Sequence, residues 1–166
     1  MLIAVISDIH DNLVNLDKVL GWCRANRVTK LICCGDTTTI ETIHHLAAGF
    51  RGEIFMVRGN IELYDDDELP PLENIDFCGS AGSIEADGLK IAFCHEPANI
   101  EKLLKDKKGR PDFVFYGHTH KPWLEKRDSA SLVNPGNVAG VWHQATFAVL
   151  DTTQKKLELK IIADIA

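Results

Sequence analysis

Apolar and polar positions follow one another in blocks along this chain, and the blocks predict strands and helices in turn. Leu2 to Ser7 is a nearly continuous apolar run, as a strand buried on both faces requires, and Asp8 to Asn12 breaks it with short polar residues suited to a loop. From Leu13 to Arg24 the apolar positions Leu13, Leu16, Val19, Leu20 and Cys23 recur at helical spacing and leave Asn15, Asp17, Lys18 and Arg24 for solvent. The arrangement then repeats. Lys30 to Cys34 predicts a buried strand, Gly35-Asp36 a turn and Thr39 to Ala48 a helix, and Glu53 to Val57 predicts a further strand before Arg58-Gly59-Asn60. Strand-helix repeats imply parallel pairing, and right-handed crossovers set the polar motifs along one edge of the sheet.

The second half reads differently. Asp65-Asp66-Asp67-Glu68 is expected as a solvated loop, and short strands follow at Ile75 to Cys78, Ser80 to Ala86 and Leu89 to Cys94. Asp87-Gly88 between two of them is a hairpin signal, so antiparallel pairing enters here. Ile100 to Leu104 begins a helix, and Phe113 to Tyr116, Trp123 to Lys126, Ser131 to Val133, Thr146 to Leu150 and Leu157 to Ile161 supply more strands. The expectation is an α/β fold of two packed mixed sheets with helices outside them. With 166 residues and no repeat, linker or low-complexity segment, residues 1–166 read as a single domain.

Composition narrows the function classes. Hydrophobic residues at 45% and charged residues at 25% fit a soluble globular protein. A formal charge of −6 gives no global field toward nucleic acid or an anionic membrane. Lys102, Lys105, Lys107, Lys108 and Arg110 form a local basic stretch that helix-end electrostatics explains in part, and without aromatic-basic alternation or a helix-turn-helix pattern no dedicated nucleic-acid binding is expected. The opening apolar run is too short for a bilayer and lacks the parts of a signal peptide, so no membrane association and a cytoplasmic location are expected. Cys23, Cys33, Cys34, Cys78 and Cys94 show no CxxC spacing and read as packing thiols in reducing surroundings. Trp123 and Trp142 are expected to pack on strands, with an interface of a homo-oligomer as the other reading.

The chemistry-bearing side chains stand at the ends of the apolar runs. Asp8 and His10, one residue apart, are directed to the same side by an extended backbone, where carboxylate and imidazole share a divalent cation; a helix cap or polar turn is the plain alternative. Asp36 and Asn60 each follow a glycine after an apolar strand and offer oxygen donors, though each is also a turn residue. His118 and His120 after Gly117 repeat the alternating geometry, and His95 ends another strand. His44, His45 and His143 lack a second ligand signature and stay outside the centre.

Together Asp8-Ile9-His10, Gly35-Asp36, Gly59-Asn60, His95 and Gly117-His118-Thr119-His120 resemble the calcineurin-like metallophosphoesterases, in particular the small YfcE-like phosphodiesterases, across nearly the whole chain. The resemblance implies a four-layer α/β/β/α sandwich and two divalent ions. Asp8, His10, Asp36 and His120 would hold one, and Asp36, Asn60, His95 and His118 the other. Asp36 would bridge them, and Asp36, Asn60, His95 and His120 would be catalytic. Two ions about 3.5–4 Å apart could hold a bridging hydroxide for in-line attack on a phosphoester, with no covalent enzyme intermediate. Mn²⁺ is the favoured ion, with Fe²⁺, Zn²⁺, Co²⁺ and Ni²⁺ also suited to mixed oxygen and nitrogen donors.

The sequence departs from that pattern at two places. Many such enzymes carry histidine after the Gly-Asn pair, where this chain has Ile61 and then Glu62, which leaves the leaving-group proton to water or another residue and gives Glu62 a role in orienting a metal ligand. Many also carry Gly-His after the position matched by His95, where this chain has Glu96-Pro97, changing charge and backbone freedom at the substrate mouth. Glu96 and Asn12 are candidate substrate contacts, Asn12 equally a helix cap. The expected function is hydrolysis of small phosphodiesters. The alternatives are a phosphomonoesterase, or a non-catalytic protein-interaction scaffold resembling the phosphoesterase-like scaffold of retromer.

Overall fold

The computed structural model describes residues 1–69, 71–105 and 109–165. Lys107 and Lys108 of the basic stretch lie outside the described residues.

The first sheet is built from β1 (Leu2–Ile6), β2 (Lys30–Cys33), β3 (Glu53–Met56), β4 (Ile75–Phe77), β10 (Thr146–Asp151) and β11 (Lys156–Ile161), in the order β11-β10-β1-β2-β3-β4. Its β1 to β4 run parallel, with Ile3 beside Lys30, Lys30 beside Glu53 and Ile54 beside Ile75, while β10 and β11 add antiparallel strands at the other edge. The second sheet holds β5 (Ala81–Ala86), β6 (Leu89–Cys94), β7 (Phe113–Phe115), β8 (Trp123–Arg127) and β9 (Ala130–Asn134), in the order β5-β6-β7-β9-β8. Asp87-Gly88 closes the β5–β6 hairpin, and β6, β7 and β9 are parallel. Both sheets are mixed, as expected.

Strand periodicity divides each strand between two cores. Ala4 and Ile6 of β1, Leu31 and Cys33 of β2, and Phe147 and Val149 of β10 face α1 (Leu13–Ala25) and α2 (Ile40–Gly49). Ile3, Val5, Ile32, Ala148 and Leu150 face the other sheet, where they meet Ile91, Phe93, Phe113 and Phe115. Ala92, Cys94 and Val114 point outward again, toward α3 (Ile100–Leu104). The result is a sandwich of helices, sheet, sheet and helix. Its last layer is slight, since α3 is only 5 residues long.

The acidic segment carries a short 3-10 turn over Asp66–Glu68 where a loop was expected. Cys23, Cys33, Cys34 and Cys94 are buried free thiols, and Cys78 is half-buried. The tryptophans depart from the strand-packing expectation. Trp123 is half exposed on β8, an edge strand, and Trp142 lies beyond the strands at 83% exposure.

Candidate active site

Parallel strands deliver their following loops to the same sheet edge, and here two sheets do so at once. Asp8 and His10 follow β1, Asp36 follows β2, Asn60 follows β3, His95 follows β6, and His118 and His120 follow β7. Asp8, His10, Asp36 and His120 bring one ligand atom each to within 4.8 Å of one another. His10 Nε2 and His120 Nε2 face each other at 3.2 Å, and His120 Nε2 is 3.4 Å from Asp8 Oδ1. His10 Nε2 is 3.9 Å from both Asp8 Oδ1 and Asp36 Oδ2. On the other side Asp36 Oδ1 lies 3.4 Å from His95 Nε2, and Asn60 Oδ1 stands 2.7 Å from both His95 Nε2 and His118 Nδ1. Asp36 therefore turns one oxygen toward each group of donors.

This geometry fits a cation. His95 Nδ1 is 2.7 Å from the Cys34 carbonyl, which can only accept, so that nitrogen carries the proton. In neutral His95 the lone pair on Nε2 then faces the oxygen of Asn60, and a shared cation satisfies both. A histidine bonded to a backbone carbonyl through its far nitrogen is also the usual support for a metal ligand. Burial lowers the pKa values of His10 and His120, which favours the neutral imidazole that donates a lone pair. Burial, with the Asp36 carboxylate among the smaller causes, pushes the Asp8 pKa up to about 6. Asp8 is thus a carboxylate removed from water whose charge calls for a positive partner.

The backbone that presents these groups is not the alternating extended chain expected for Asp8/His10 and His118/His120. Asp8, His10, Asp36, His118 and His120 have φ of 54°, 46°, 56°, 69° and 58°, all in the left-handed region. Such residues typically cost on the order of 1–3 kcal/mol each and persist only where surrounding bonds over-determine them. Those bonds are present. The amides of Asp8, Ile9 and His10 donate to the carbonyls of Gly35 and Asp36, and the His118 amide donates to both oxygens of Asp8 at 3.2 Å. Close approach needs glycine at two points. A Cβ on Gly59 would lie 2.0 Å from Asp36 Oδ1, and one on Gly117 would lie 2.0 Å from Ser7 Oγ and 2.9 Å from Asp8 Oδ2.

Glu62 acts on backbone rather than on a histidine. Its carboxylate accepts from the amides of Thr37, Thr38 and Gly59 and from Thr37 Oγ1, tying the loop that carries Asp36 to the loop that carries Asn60. It also supports Thr38 at φ 82°, a costly conformation for a β-branched residue. The Ile61 amide lies 3.3 Å from Asp36 Oδ1. Asn12 is a helix cap: its Oδ1 accepts from the Asn15 amide, while its Nδ2 donates to the Ala139 carbonyl. Glu96 is exposed directly after His95, and among the described residues no hydrogen bond or ion pair ties its carboxylate to the donors.

Two residues that the sequence reading passed over complete the frame. Asn137, fully buried, donates to the His120 carbonyl and accepts from the Val141 amide. Asn134 donates to the Gly117 carbonyl and to Thr119 Oγ1. Their signal, Asn134-Pro135-Gly136-Asn137 after an apolar strand, has the composition of an ordinary turn. A groove of about 780 Å³ between the β5–β6 hairpin and α3 shares no residue with the donors.

The family model of the calcineurin-like phosphoesterase superfamily domain matches residues 1–155. Phosphodiesterase MJ0936 of Methanocaldococcus jannaschii is 31% identical over 168 residues, spanning 94% of this chain and 96% of that one. A solved structure described as a novel archaeal phosphodiesterase superposes with a TM-score of 0.85 at 28% identity, covering 97% of this chain and 99% of the other. The Escherichia coli phosphoesterase YfcE shares the fold, with a TM-score of 0.71 at 20% identity over 98% and 100% of the two chains. With the donor cluster at the shared sheet edge and the family matched over nearly all its length, this chain belongs to the calcineurin-like phosphoesterase superfamily and is a metal-dependent phosphoesterase.

Proposed function

We propose that the chain hydrolyses small phosphodiesters with two divalent ions, one held by Asp8, His10, Asp36 and His120 and the other by Asp36, Asn60, His95 and His118. The observation that carries this reading is buried Asp36, with Oδ2 turned toward His10 and Oδ1 toward His95. Bound there, such ions supply Lewis-acid polarisation of a phosphoryl group and a water acidic enough to react near neutral pH. Mn²⁺ is the favoured ion, with Fe²⁺, Zn²⁺, Co²⁺ and Ni²⁺ compatible with the same donors.

The chain's own residues do the rest. Glu62 holds the Asp36 and Asn60 loops in register, and Asn137 and Asn134 hold the loop of His118 and His120. His118 and Asn60 are exposed at the open side, where a phosphoester arrives. Ile61 offers no side-chain proton, so the leaving group takes its proton from water or from another residue. Ser7 Oγ is engaged by the Cys34 carbonyl, and burial pushes the Cys94 thiol up to about 12, so neither supports a covalent intermediate. The diesterase activity in the name of the 31%-identical relative favours diesters over monoesters. A small substrate suits the basic stretch as well: Lys105 pairs with Glu101 and Arg110 with Asp128. Buried free thiols suit the reducing cytoplasm. No helix among the described residues is long and apolar enough to cross a membrane.

The test is turnover by metal-loaded protein on diester and monoester panels, with Asp36→Asn and Glu96→Gln compared at equal metal loading and verified folding. Loss of a ligand that serves both donor groups should lower activity by on the order of a hundredfold or more, given that outer-shell partners alone cost 10–100-fold. Glu96→Gln should change it little. Near-normal turnover by Asp36→Asn with two ions retained removes the bridging assignment, and absence of hydrolysis across both panels by loaded wild type favours a non-catalytic scaffold.

A further inference from the structure

We propose that Trp142 is a stacking platform that selects phosphoesters carrying a planar aromatic substituent, an aryl group or a nucleobase; the proposal rests on the phosphoesterase reading above. The indole is 83% exposed, yet its ring centroid lies 4.9 Å from that of His120 with the planes 34° apart. His120 in turn packs against His10, ring centroids 4.8 Å apart, and both Nε2 atoms belong to the donor cluster. Trp142 therefore extends an aromatic surface outward from the place where a phosphoryl group would sit, and one side of it is open to solvent.

The backbone that leads to the indole is held, not left as a loose loop. Trp142 has φ 62°, a left-handed conformation that a bulky residue adopts only under constraint. The segment before it is strapped to the site. The amides of Val138 and Ala139 donate to the carbonyls of Ser7 and Asp8, Asn12 and Asn15 donate to the carbonyls of Ala139 and Val138, and Asn137 joins the Val141 amide to the His120 carbonyl. A large aromatic ring kept in water at the edge of a catalytic cluster forgoes burial that folding would otherwise gain, which a ligand can recover. Val141, exposed beside the tryptophan, adds apolar surface to the same segment. An aromatic ester substituent could lie on the indole while its phosphate meets the donors.

The competing role for Trp142 is to brace His120 alone, and the experiment separates the two. Methylphosphonate, phenylphosphonate and a thymidine 5′-phosphonate carry carbon-phosphorus bonds that hydrolysis does not cleave, so their affinities for Mn²⁺-loaded full-length protein can be read by calorimetry without turnover. Base-aromatic stacking predicts that wild type binds an aromatic phosphonate about tenfold or more tighter than methylphosphonate. Trp142→Ala should lose that preference with methylphosphonate affinity and metal content unchanged, and Trp142→Phe should keep most of it. Whichever of phenyl and thymidine gains more from Trp142 identifies aryl or nucleobase as the source. Equal affinities in wild type, a preference surviving in Trp142→Ala, or an equal loss for all probes in that variant overturns the proposal. Wild type that shows the Trp142-dependent preference but hydrolyses no phosphoester defeats only the phosphoesterase reading. Hydrolysis of diesters with no preference, or with no probe bound, defeats only the stacking platform, and failure both to bind any probe and to hydrolyse any phosphoester defeats both.

Discussion

Replacing Asp8 by asparagine should stabilise the metal-free protein while weakening its hold on a divalent cation. The Asp8 side chain is fully buried, and burial pushes its pKa from an ordinary 3.8 up to about 6. A carboxyl group whose pKa is higher in the folded state binds more protons folded than unfolded. Its favourable contribution is therefore full below about pH 4, falls as pH rises between about 4 and 6, and above that stands as a constant penalty for a buried charge. The gap from 3.8 to about 6 corresponds to roughly 3 kcal/mol. Asparagine removes the charge, keeps an acceptor for the His118 amide and adds donors toward the imidazole nitrogens of His10 and His120. At about 2–4 °C per kcal/mol for a chain of this length, Asp8→Asn in chelator at pH 8 should melt several degrees above wild type, with the advantage vanishing toward pH 4. A cation bound only by the folded protein reverses the order once it is concentrated enough, adding about 4.1 kcal/mol to wild type at about one thousand times its dissociation constant. Thermal melts by circular dichroism from pH 4 to 8, with chelator and with Mn²⁺, provide the assay. A lower melting temperature for Asp8→Asn in chelator at pH 8, or an advantage that does not change with pH, would refute the reasoning.

Glu62→Gln replaces a carboxylate that accepts three amides and a hydroxyl; melting should show a loss of about 1–3 kcal/mol, and metal titration a 10–100-fold weaker affinity. Gly117→Ala puts a methyl group against Ser7 Oγ and Asp8 Oδ2, so calorimetry should find metal binding lost or strongly reduced in a protein that still shows native circular dichroism; unaltered affinity would mean the loop yields freely. Among the thiols, Cys78 is the half-buried one, with its pKa pushed up to about 11, whereas Cys23, Cys33 and Cys94 are pushed to about 12. Under native conditions a thiol reagent should modify Cys78 first and the others only on unfolding, which peptide mapping would check.

The elements and the donor residues were legible in the sequence because both leave local marks. Apolar runs such as Leu2 to Ile6, helical spacing from Leu13 to Cys23 and the Asp87-Gly88 hairpin signal depend on neighbours a few positions away, and they correspond to β1, α1 and the β5–β6 turn. The positions of Asp8, Asp36 and Asn60 at strand ends follow from the same local pattern, since parallel strands must release their loops at one edge. What the sequence left open depends on partners far along the chain. The β10 strand pairs with β1 across more than half the molecule, and β9 inserts between β7 and β8, because strand order is decided by which apolar faces fit together. Alternation suggested extended Asp8/His10 and His118/His120 segments. Hydrogen bonds to Gly35, Asp36 and Asp8 hold these donors in left-handed turns, a conformation with no local signature in Asp-Ile-His. Asn137 and Trp142 show the limit most clearly: one reads as a turn residue and the other as a packing residue. Only the folded chain brings the Asn137 amide to the His120 carbonyl and sets the indole on the His120 ring, because those contacts form when the loop before β10 is drawn against the loop after β7.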